Sequence, residues 1–320
     1  MLNRSENIES ANMSAGKPAE NLELYNWVEQ ECPICEIPPS KHLGMRGGGA
    51  HRAKLGIACQ IWQCGNCSLI FPNPMPMPIN GVVQHYSVAP EDYFQHHEEG
   101  DRIEYASLLM QQLQALQIEK GRLLDIGAGR GEVLRVAQEN GWMVTGVETS
   151  PTFASYAAQY SGANIIQTPL EECGFDSDSF HAILLGAVLE HLYNPDETFK
   201  EIARILKPGG ALFVDVPNER GLYFILGNYY QKLRGRNWVV NLAPTFPPYH
   251  VFGFSPKSLR ALLAKHHLQP AIWYVFSVRS LLSSRPGLMG FFERQAARLV
   301  TVLTKHNKYG EYIATWAIKN

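Results

Sequence analysis

A short glycine-rich segment constrains the fold of this 320-residue chain more than any other feature. Residues 125–131 read Asp-Ile-Gly-Ala-Gly-Arg-Gly, after an apolar run at 122–126 and before a helical pattern at about 131–140. Glycines at such a turn accept positive φ and let a ligand approach the backbone closely. The N–H groups at the start of the helix favour a carboxylate or a phosphate. The pattern predicts a ligand-binding loop, with a plain tight turn as the alternative.

The rest of the C-terminal part alternates between strand and helix patterns. Further strands are predicted near 142–147, 163–166, 180–185, 211–216, 271–278 and 312–318. Helices are expected to begin at Ser150-Pro151, Asn194-Pro195 and Ser255-Pro256, because an N-cap residue followed by proline marks a helix start. This alternation predicts an α/β fold with a mainly parallel sheet covered by helices.

The loop and a later glutamate suggest a nucleoside ligand. Glu148 ends the second strand, where a carboxylate can accept hydrogen bonds from both ribose hydroxyls. Dinucleotides and S-adenosylmethionine (SAM) both suit this arrangement. The spacing G-x-G-x-G favours SAM over G-x-G-x-x-G dinucleotide binding, as does the acidic residue Asp125 inside the first strand.

From residue 121 onward the sequence resembles class I SAM-dependent methyltransferases. The matching segments are 124–131, Glu148, 169–172, 189–192 with Pro195, and 204–210. The resemblance implies a Rossmann-like seven-stranded methyltransferase sheet flanked by helices, and it implies the residues that surround SAM. These are Asp125, Gly127, Ala128 and Gly129 at the methionine part, Glu148 at the ribose, Leu170 and Glu171 at the adenine, and Gly186 and Ala187 after the fourth strand.

Four of the six cysteines form two Cys-x-x-Cys pairs, Cys32 with Cys35 and Cys64 with Cys67. Two such pairs can complete a closed tetrahedral zinc site, which would serve folding rather than catalysis. A redox Cys-x-x-Cys and unpaired core cysteines are the alternatives, and Cys59 and Cys173 are expected to be core residues. A module of this kind ahead of the catalytic domain is similar to that of bacterial methyltransferases of sugars and small metabolites, and has a parallel in zinc-finger ribosomal-RNA methyltransferases.

The sequence divides into four predicted regions. They are a disordered tail at 1–24, a zinc-ribbon-like module at 25–78, a helical linker or cap at 79–119, and the SAM domain at 120–320 with an acceptor-side insertion at 218–254. We expect no membrane span and no signal peptide, and hence a cytoplasmic protein, because the apolar stretches are too short and the N-terminus is polar. The helix near 289–305 is expected to pack with Phe291, Phe292, Leu299 and Leu303 rather than to anchor a membrane.

Two histidines are candidates for catalysis. His191 follows the fourth strand, where it could act as a general base or form a wall of the SAM pocket. His250 follows the insertion, where related enzymes complete the acceptor pocket. Some relatives bind a divalent metal through a Glu-x-x-Glu-His run and a later histidine. Glu190, His191 and His250 match that pattern, but Ala187 replaces the first glutamate, which argues against a catalytic metal.

We therefore expect methyl transfer to oxygen or carbon of a small acceptor such as a sugar, a quinone precursor or a lipid precursor. The net charge of −2 removes the overall basic excess typical of nucleic-acid binders. One alternative is an RNA nucleobase methyltransferase whose zinc module binds RNA through Lys41, Arg46, His51, Arg52 and Lys54. A non-catalytic binding protein that keeps the SAM fold is another.

Overall fold

A computed structural model describes residues 25–46, 57–79, 99–243, 249–277, 287–304 and 307–320. The N-terminal part contains β1 (Tyr25–Val28), β2 (Lys41–Arg46), β3 (Gln60–Gln63), β4 (Ile70–Pro72) and β5 (Met75–Pro78). Next come α1 (Glu99–Ala115), β6 (Arg122–Ile126), α2 (Glu132–Glu139), β7 (Met143–Val147), α3 (Pro151–Ser161), β8 (Asn164–Ile166), β9 (Phe180–Gly186), α4 (Pro195–Ile205) and β10 (Leu206–Pro217). The last part contains α5 (Leu222–Leu233), β11 (Trp238–Val239), α6 (Pro256–Lys265), β12 (Leu268–Phe276), α7 (Gly287–Thr304) and β13 (Tyr312–Lys319). The predicted tail at 1–24 lies outside the described residues, as do His51, Arg52 and Lys54.

The central sheet has seven strands in the order β12-β13-β10-β9-β6-β7-β8. Strand β13 runs antiparallel to both of its neighbours, and the pairs among β10, β9, β6, β7 and β8 are parallel. Helices cover the sheet on both sides, which explains why its inner strands are almost continuously apolar. The structure thus confirms the predicted seven-stranded α/β fold, and every predicted strand overlaps an observed one.

Helix α1 packs against one face of this sheet. Its residues Ala106, Leu109, Met110 and Leu113 are buried in the same cluster as Leu123, Ala182, Phe213 and Trp316. The Trp316 indole N–H also donates to Gln112 Oε1 across 2.7 Å. The helix therefore belongs to the core of the sheet domain.

The N-terminal module shares a sheet and a core with the C-terminal part. Strands β2, β3 and β4 are antiparallel, and β11 from the predicted insertion joins β2 in parallel, with Val239 opposite Arg46. Ile70 and Gly253 exchange backbone hydrogen bonds of 3.0 and 2.7 Å. Buried residues from both parts form one cluster, including Cys32, Leu69, Phe71, Met75, Phe252, Phe254 and Leu259. The module is therefore held firmly against the sheet domain.

Helices α5 and α7 contact each other at the carboxyl edge of the sheet. Helix α5 follows the end of β10, and α7 precedes β13, whose first residue Tyr312 pairs with Pro217 at that end. The expectation of a packed apolar face on α7 is wrong for Phe291, Leu299 and Leu303, which are 48%, 59% and 57% exposed; the side chain of Phe292 lies outside the description. Within the described ranges, none of the helices combines the length and the apolar composition that crossing a membrane requires.

Candidate functional site

The predicted ligand loop lies between β6 and α2. Gly127 and Gly129 have φ angles of +74° and +54°, which a side chain would strain. A β-carbon at Gly127 would lie 2.4 Å from Val188 Cγ2. The loop therefore touches the turn after β9, so the predicted SAM residues Gly186 and Ala187 lie beside the loop that contains Ala128.

Glu148 lies at the end of β7 and holds the loop through its carboxylate. One oxygen accepts from the backbone N–H of Gly129 at 3.2 Å, and the other accepts from Ser150 at 2.9 Å. Burial raises the pKa of this carboxyl group, and the two N–H groups oppose that shift. The position beside the loop is the one expected for a ribose ligand.

Asp125 belongs to a cluster of carboxyl groups around the loop. Burial raises its pKa to about 8; nearby Arg102 lowers it, whereas Glu148 and Glu132 raise it. Bringing a cation next to these groups favours their charged forms. Because SAM carries a sulfonium and an ammonium group, the donor set suits SAM.

Asp215 and Tyr105, which the sequence did not single out, lie beside the predicted SAM residue Ala187. The Tyr105 hydroxyl donates to Asp215 Oδ2 at 2.9 Å, and the backbone N–H of Ala187 donates to Asp215 Oδ1 at 2.6 Å. Ala187 needs this support because its φ is +53°. Helix α1 thus contributes, through Tyr105, to the position of Ala187 beside the predicted ligand loop.

Leu170 and Glu171 form a short 3-10 turn after β8. Leu170 is buried, and the Glu171 carboxylate accepts a hydrogen bond from the Thr198 hydroxyl of α4. The proposed contact of these two residues with adenine stays a prediction.

The two candidate catalytic residues, His191 and His250, contact each other. Their ring centroids are 4.8 Å apart in an edge-to-face arrangement. The Nδ1–H group of His191 donates to the Tyr249 carbonyl at 2.9 Å, because a carbonyl oxygen can only accept. Burial lowers the pKa of His191 to about 4. The neutral ring therefore carries its lone pair on Nε2 across the neutral pH range.

Glu190 completes this cluster. Its Oε1 lies 3.9 Å from His250 Nε2, and burial raises its pKa to about 8. Burial also lowers the pKa of His250 well below its usual value, helped by nearby His191 and Arg46. The three residues bring one possible metal-ligating atom each to within 4.8 Å of one another. Ala187, in the position of the missing glutamate, offers no side-chain ligand, and the absence of a catalytic metal stays a prediction.

Arg46 reaches this cluster from β2 of the N-terminal module. Its guanidinium Nη2 donates to the His250 carbonyl at 2.7 Å, while Nε and Nη1 have no hydrogen-bond partner among the described residues. The side chain is 1% exposed. Arg46 therefore cannot belong to an RNA-binding surface, and that part of the alternative prediction is wrong.

The two Cys-x-x-Cys pairs converge, as predicted. All four Sγ atoms lie within 4.8 Å of one another, and Cys32 Sγ is 3.6 Å from Cys67 Sγ. A tetrahedral zinc–thiolate site has Zn–S bonds of about 2.3 Å and hence S–S edges of about 3.8 Å. Each pair turns through a left-handed residue, Glu36 or Ser68, directly after its second cysteine. The four thiols therefore fit a zinc ion, whereas Cys59 lies buried elsewhere.

The sequence of this chain is similar to those of known methyltransferases. Residues 94–270, more than half of the chain, match the sequence profile of a family described as a methyltransferase domain. The chain belongs to this methyltransferase domain family. Its relatives include the Bacillus subtilis protein named "Putative methyltransferase YqeM", 35% identical over 106 residues that cover 31% of this chain and 43% of that protein. The ubiquinone biosynthesis O-methyltransferase of Xanthomonas oryzae is 26% identical over 160 residues, which cover 48% of this chain and 65% of that enzyme.

The alignments with these relatives of the methyltransferase domain thus span less than two thirds of each relative's length. Among solved structures, a SAM-dependent methyltransferase from Archaeoglobus fulgidus is 17% identical, with a TM-score of 0.47 over 72% of this chain and 97% of that one.

Proposed function

We propose that this methyltransferase domain moves the methyl group of SAM to an oxygen or a carbon of a small-molecule acceptor. The observation that carries this proposal is the hydrogen bond between His191 and the Tyr249 carbonyl, which directs the basic nitrogen Nε2 away from that carbonyl. His191 belongs to the turn that contacts the predicted cofactor loop through Val188. The ubiquinone-pathway relatives, whose name describes an O-methyltransferase, support this substrate class.

The cofactor would be held by the acidic edge of the sheet. Glu148 would accept hydrogen bonds from the ribose, Asp125 would face the cationic methionine part, and Gly127 and Gly129 would let the backbone approach it. Leu170 and Glu171 would border the adenine. When bound, SAM supplies an electrophilic methyl group on a positively charged sulfur. Glu190, which is buried, and the partly buried His191 would limit the access of water to the reacting side.

The chain's own contribution to the reaction is alignment and proton removal. With SAM bound, His191 Nε2 would accept the proton that the acceptor hydroxyl or acidic carbon loses on methylation. Burial lowers the pKa of His191, which keeps the ring neutral in the ligand-free protein. His250 and Glu190, whose side chains approach each other to 3.9 Å, would orient the acceptor. Zinc on Cys32, Cys35, Cys64 and Cys67 would stabilise the module without taking part.

The decisive experiment follows label from methyl-labelled SAM into the fractions of a host lysate. We compare the wild type with His191→Ala and with the exposed control His42→Ala. We expect label in small molecules, a decrease of about 10²- to 10⁴-fold for His191→Ala, and unchanged SAM affinity by calorimetry. Label in RNA would favour the RNA methyltransferase, and SAM binding without transfer to any fraction would favour the non-catalytic protein.

A further inference from the structure

The outer face of α5 is an apolar stripe. Tyr223, Leu226, Tyr230 and Leu233 recur at i, i+3, i+7 and i+10, which is one side of a helix. All four are exposed, Leu233 at 87%. The opposite side of the helix is buried through Phe224 and Gln231. Helix α5 thus presents to solvent the kind of surface that a folded protein normally covers.

Helix α7 also exposes apolar side chains. Leu288, Leu299, Val302 and Leu303 are exposed, with Val302 at 74%. The two helices contact each other, and the backbone N–H of Leu222 at the start of α5 donates at 2.9 Å to the Tyr309 carbonyl just beyond α7. We call these eight side chains of α5 and α7 the helix-pair surface.

The part of the sequence that contains both helices is strongly basic. Residues 220–320 contain fourteen lysines and arginines but only two acidic residues, Glu293 and Glu311. The formal charge of this part is therefore +12, and that of the first 219 residues is −14, which together give the net −2 of the chain. The near-neutral total conceals a strongly basic C-terminal part, and such asymmetry is typical of proteins that bind anionic surfaces.

Basic side chains border the apolar stripe itself. Lys232 and Arg234 lie at the end of α5, and Arg298 is exposed on α7. The Arg234 guanidinium lies 5.6 Å from the centre of the Tyr230 ring and donates to its hydroxyl at 2.8 Å. Long basic side chains arranged in this way keep their charge at the polar boundary while their stems cover apolar surface.

We propose that the helix-pair surface docks onto a bilayer that contains anionic lipid. An exposed apolar stripe bordered by lysine and arginine inserts shallowly at the headgroup boundary, and anionic lipid adds electrostatic attraction. A second copy of the chain fits less well, because a two-fold contact would place this basic face against itself. The surface stands at the carboxyl edge of the sheet, the same edge as the cofactor loop. If the proposed function holds, this placement delivers an acceptor with an apolar body from the bilayer.

The test is flotation of the full-length protein with vesicles of phosphatidylcholine alone or with phosphatidylglycerol. We compare the wild type with the double variant Leu233→Glu/Val302→Glu, whose changes are on exposed positions. The control Met143→Glu/Val28→Glu introduces the same charge at exposed apolar residues outside the surface. We expect binding only to anionic vesicles, a decrease of about tenfold or more in the double variant, weaker binding at high salt, and wild-type behaviour of the control.

SAM affinity is also measured without vesicles, to separate this proposal from the proposed function. Because membrane binding does not require catalysis, loss of vesicle binding with normal SAM affinity would count against this proposal alone. No binding to either vesicle would overturn the proposal, as would equal binding by the double variant. A concentration-dependent dimer that the double variant abolishes would instead assign the surface to a second copy.

Discussion

The Arg46 guanidinium lies 2.7 Å from the His250 carbonyl oxygen and joins the N-terminal module to the segment that positions the candidate base. The preceding carbonyl, that of Tyr249, accepts the Nδ1–H of His191. The Glu190 carbonyl in turn accepts from the backbone N–H groups of Val251 and Phe252 at 2.8 and 3.1 Å. Module, segment 249–252 and histidine thus form one hydrogen-bonded unit.

Replacing Arg46 by methionine should slow methyl transfer more than it weakens cofactor binding. The change removes the donor to the His250 carbonyl and loosens the segment that orients His191. We expect a rate loss of about tenfold or more. SAM affinity should stay within about twofold of wild type, because Arg46 lies apart from the proposed SAM residues. Initial rates and calorimetric titration measure the two effects. Lys41→Met, an exposed change on the same strand, is the control, and an equal loss in both variants would contradict a positioning role for Arg46.

Tyr105→Phe should weaken SAM binding. It removes one donor to Asp215, which also holds the Ala187 N–H in a strained conformation. A hydrogen bond to a charged group contributes about 1.5–3 kcal/mol, so we expect an affinity loss of about tenfold or more. Titration calorimetry compares it with Tyr274→Phe on the exposed edge strand. Wild-type affinity in Tyr105→Phe would show that Asp215 holds the turn without help from α1.

SAM affinity should rise with pH up to about pH 8. The pKa of Asp125 in the ligand-free protein is raised to about 8 by burial, so the group is largely protonated at pH 6, whereas the cationic ligand favours its charged form. The stability of the folded protein should depend on pH in the opposite direction. Because the pKa of Asp125 is higher in the folded than in the unfolded protein, this group favours the folded protein at low pH, and that contribution is lost as the pH rises from about 4 to 8. Titrations between pH 6 and 8.5 check the affinity.

The variant Asp125→Asn isolates this residue from Glu148, whose pKa is also raised by burial. We expect weaker binding at pH 8 and a flatter pH profile in this variant. A profile that does not change with pH in the wild type would be inconsistent with an Asp125 that ionises when SAM binds.

The purified protein should contain one zinc ion per chain, bound by the four cysteines. Cys67→Ser should lose the metal. Because the module and the sheet domain share one core, we expect the free energy of unfolding of the whole protein to fall by several kcal/mol, rather than the module to unfold alone. Elemental analysis and thermal unfolding measure both effects, with Cys173→Ser as the control. Two metal ions per chain would indicate that Glu190, His191 and His250 also bind one.

The sequence allowed some of the site to be predicted for clear physical reasons. The loop at Gly127 and the strand end at Glu148 are local patterns, so spacing alone reveals them. Asp215 was within reach, because it is a charged residue inside an apolar strand, the same signal that singled out Asp125. Arg46 and Tyr105 could not be predicted, since each contacts a partner that is distant in the sequence. A buried arginine also has the same sequence pattern as an exposed one. The prediction of a packed apolar face on α7 failed for a related reason. Periodicity shows that a helix has an apolar side, but it does not show what covers that side.

The pairing of β11 with β2 also has a consequence for synthesis of the chain. The module leaves the ribosome long before Trp238 and Val239 are made, so one edge of β2 lacks its native neighbour during most of translation. An open strand edge recruits strands of other chains. We expect nascent chains that stop before residue 238 to bind chaperones or to aggregate. Completed chains should do neither, because β11 then pairs with the open edge of β2.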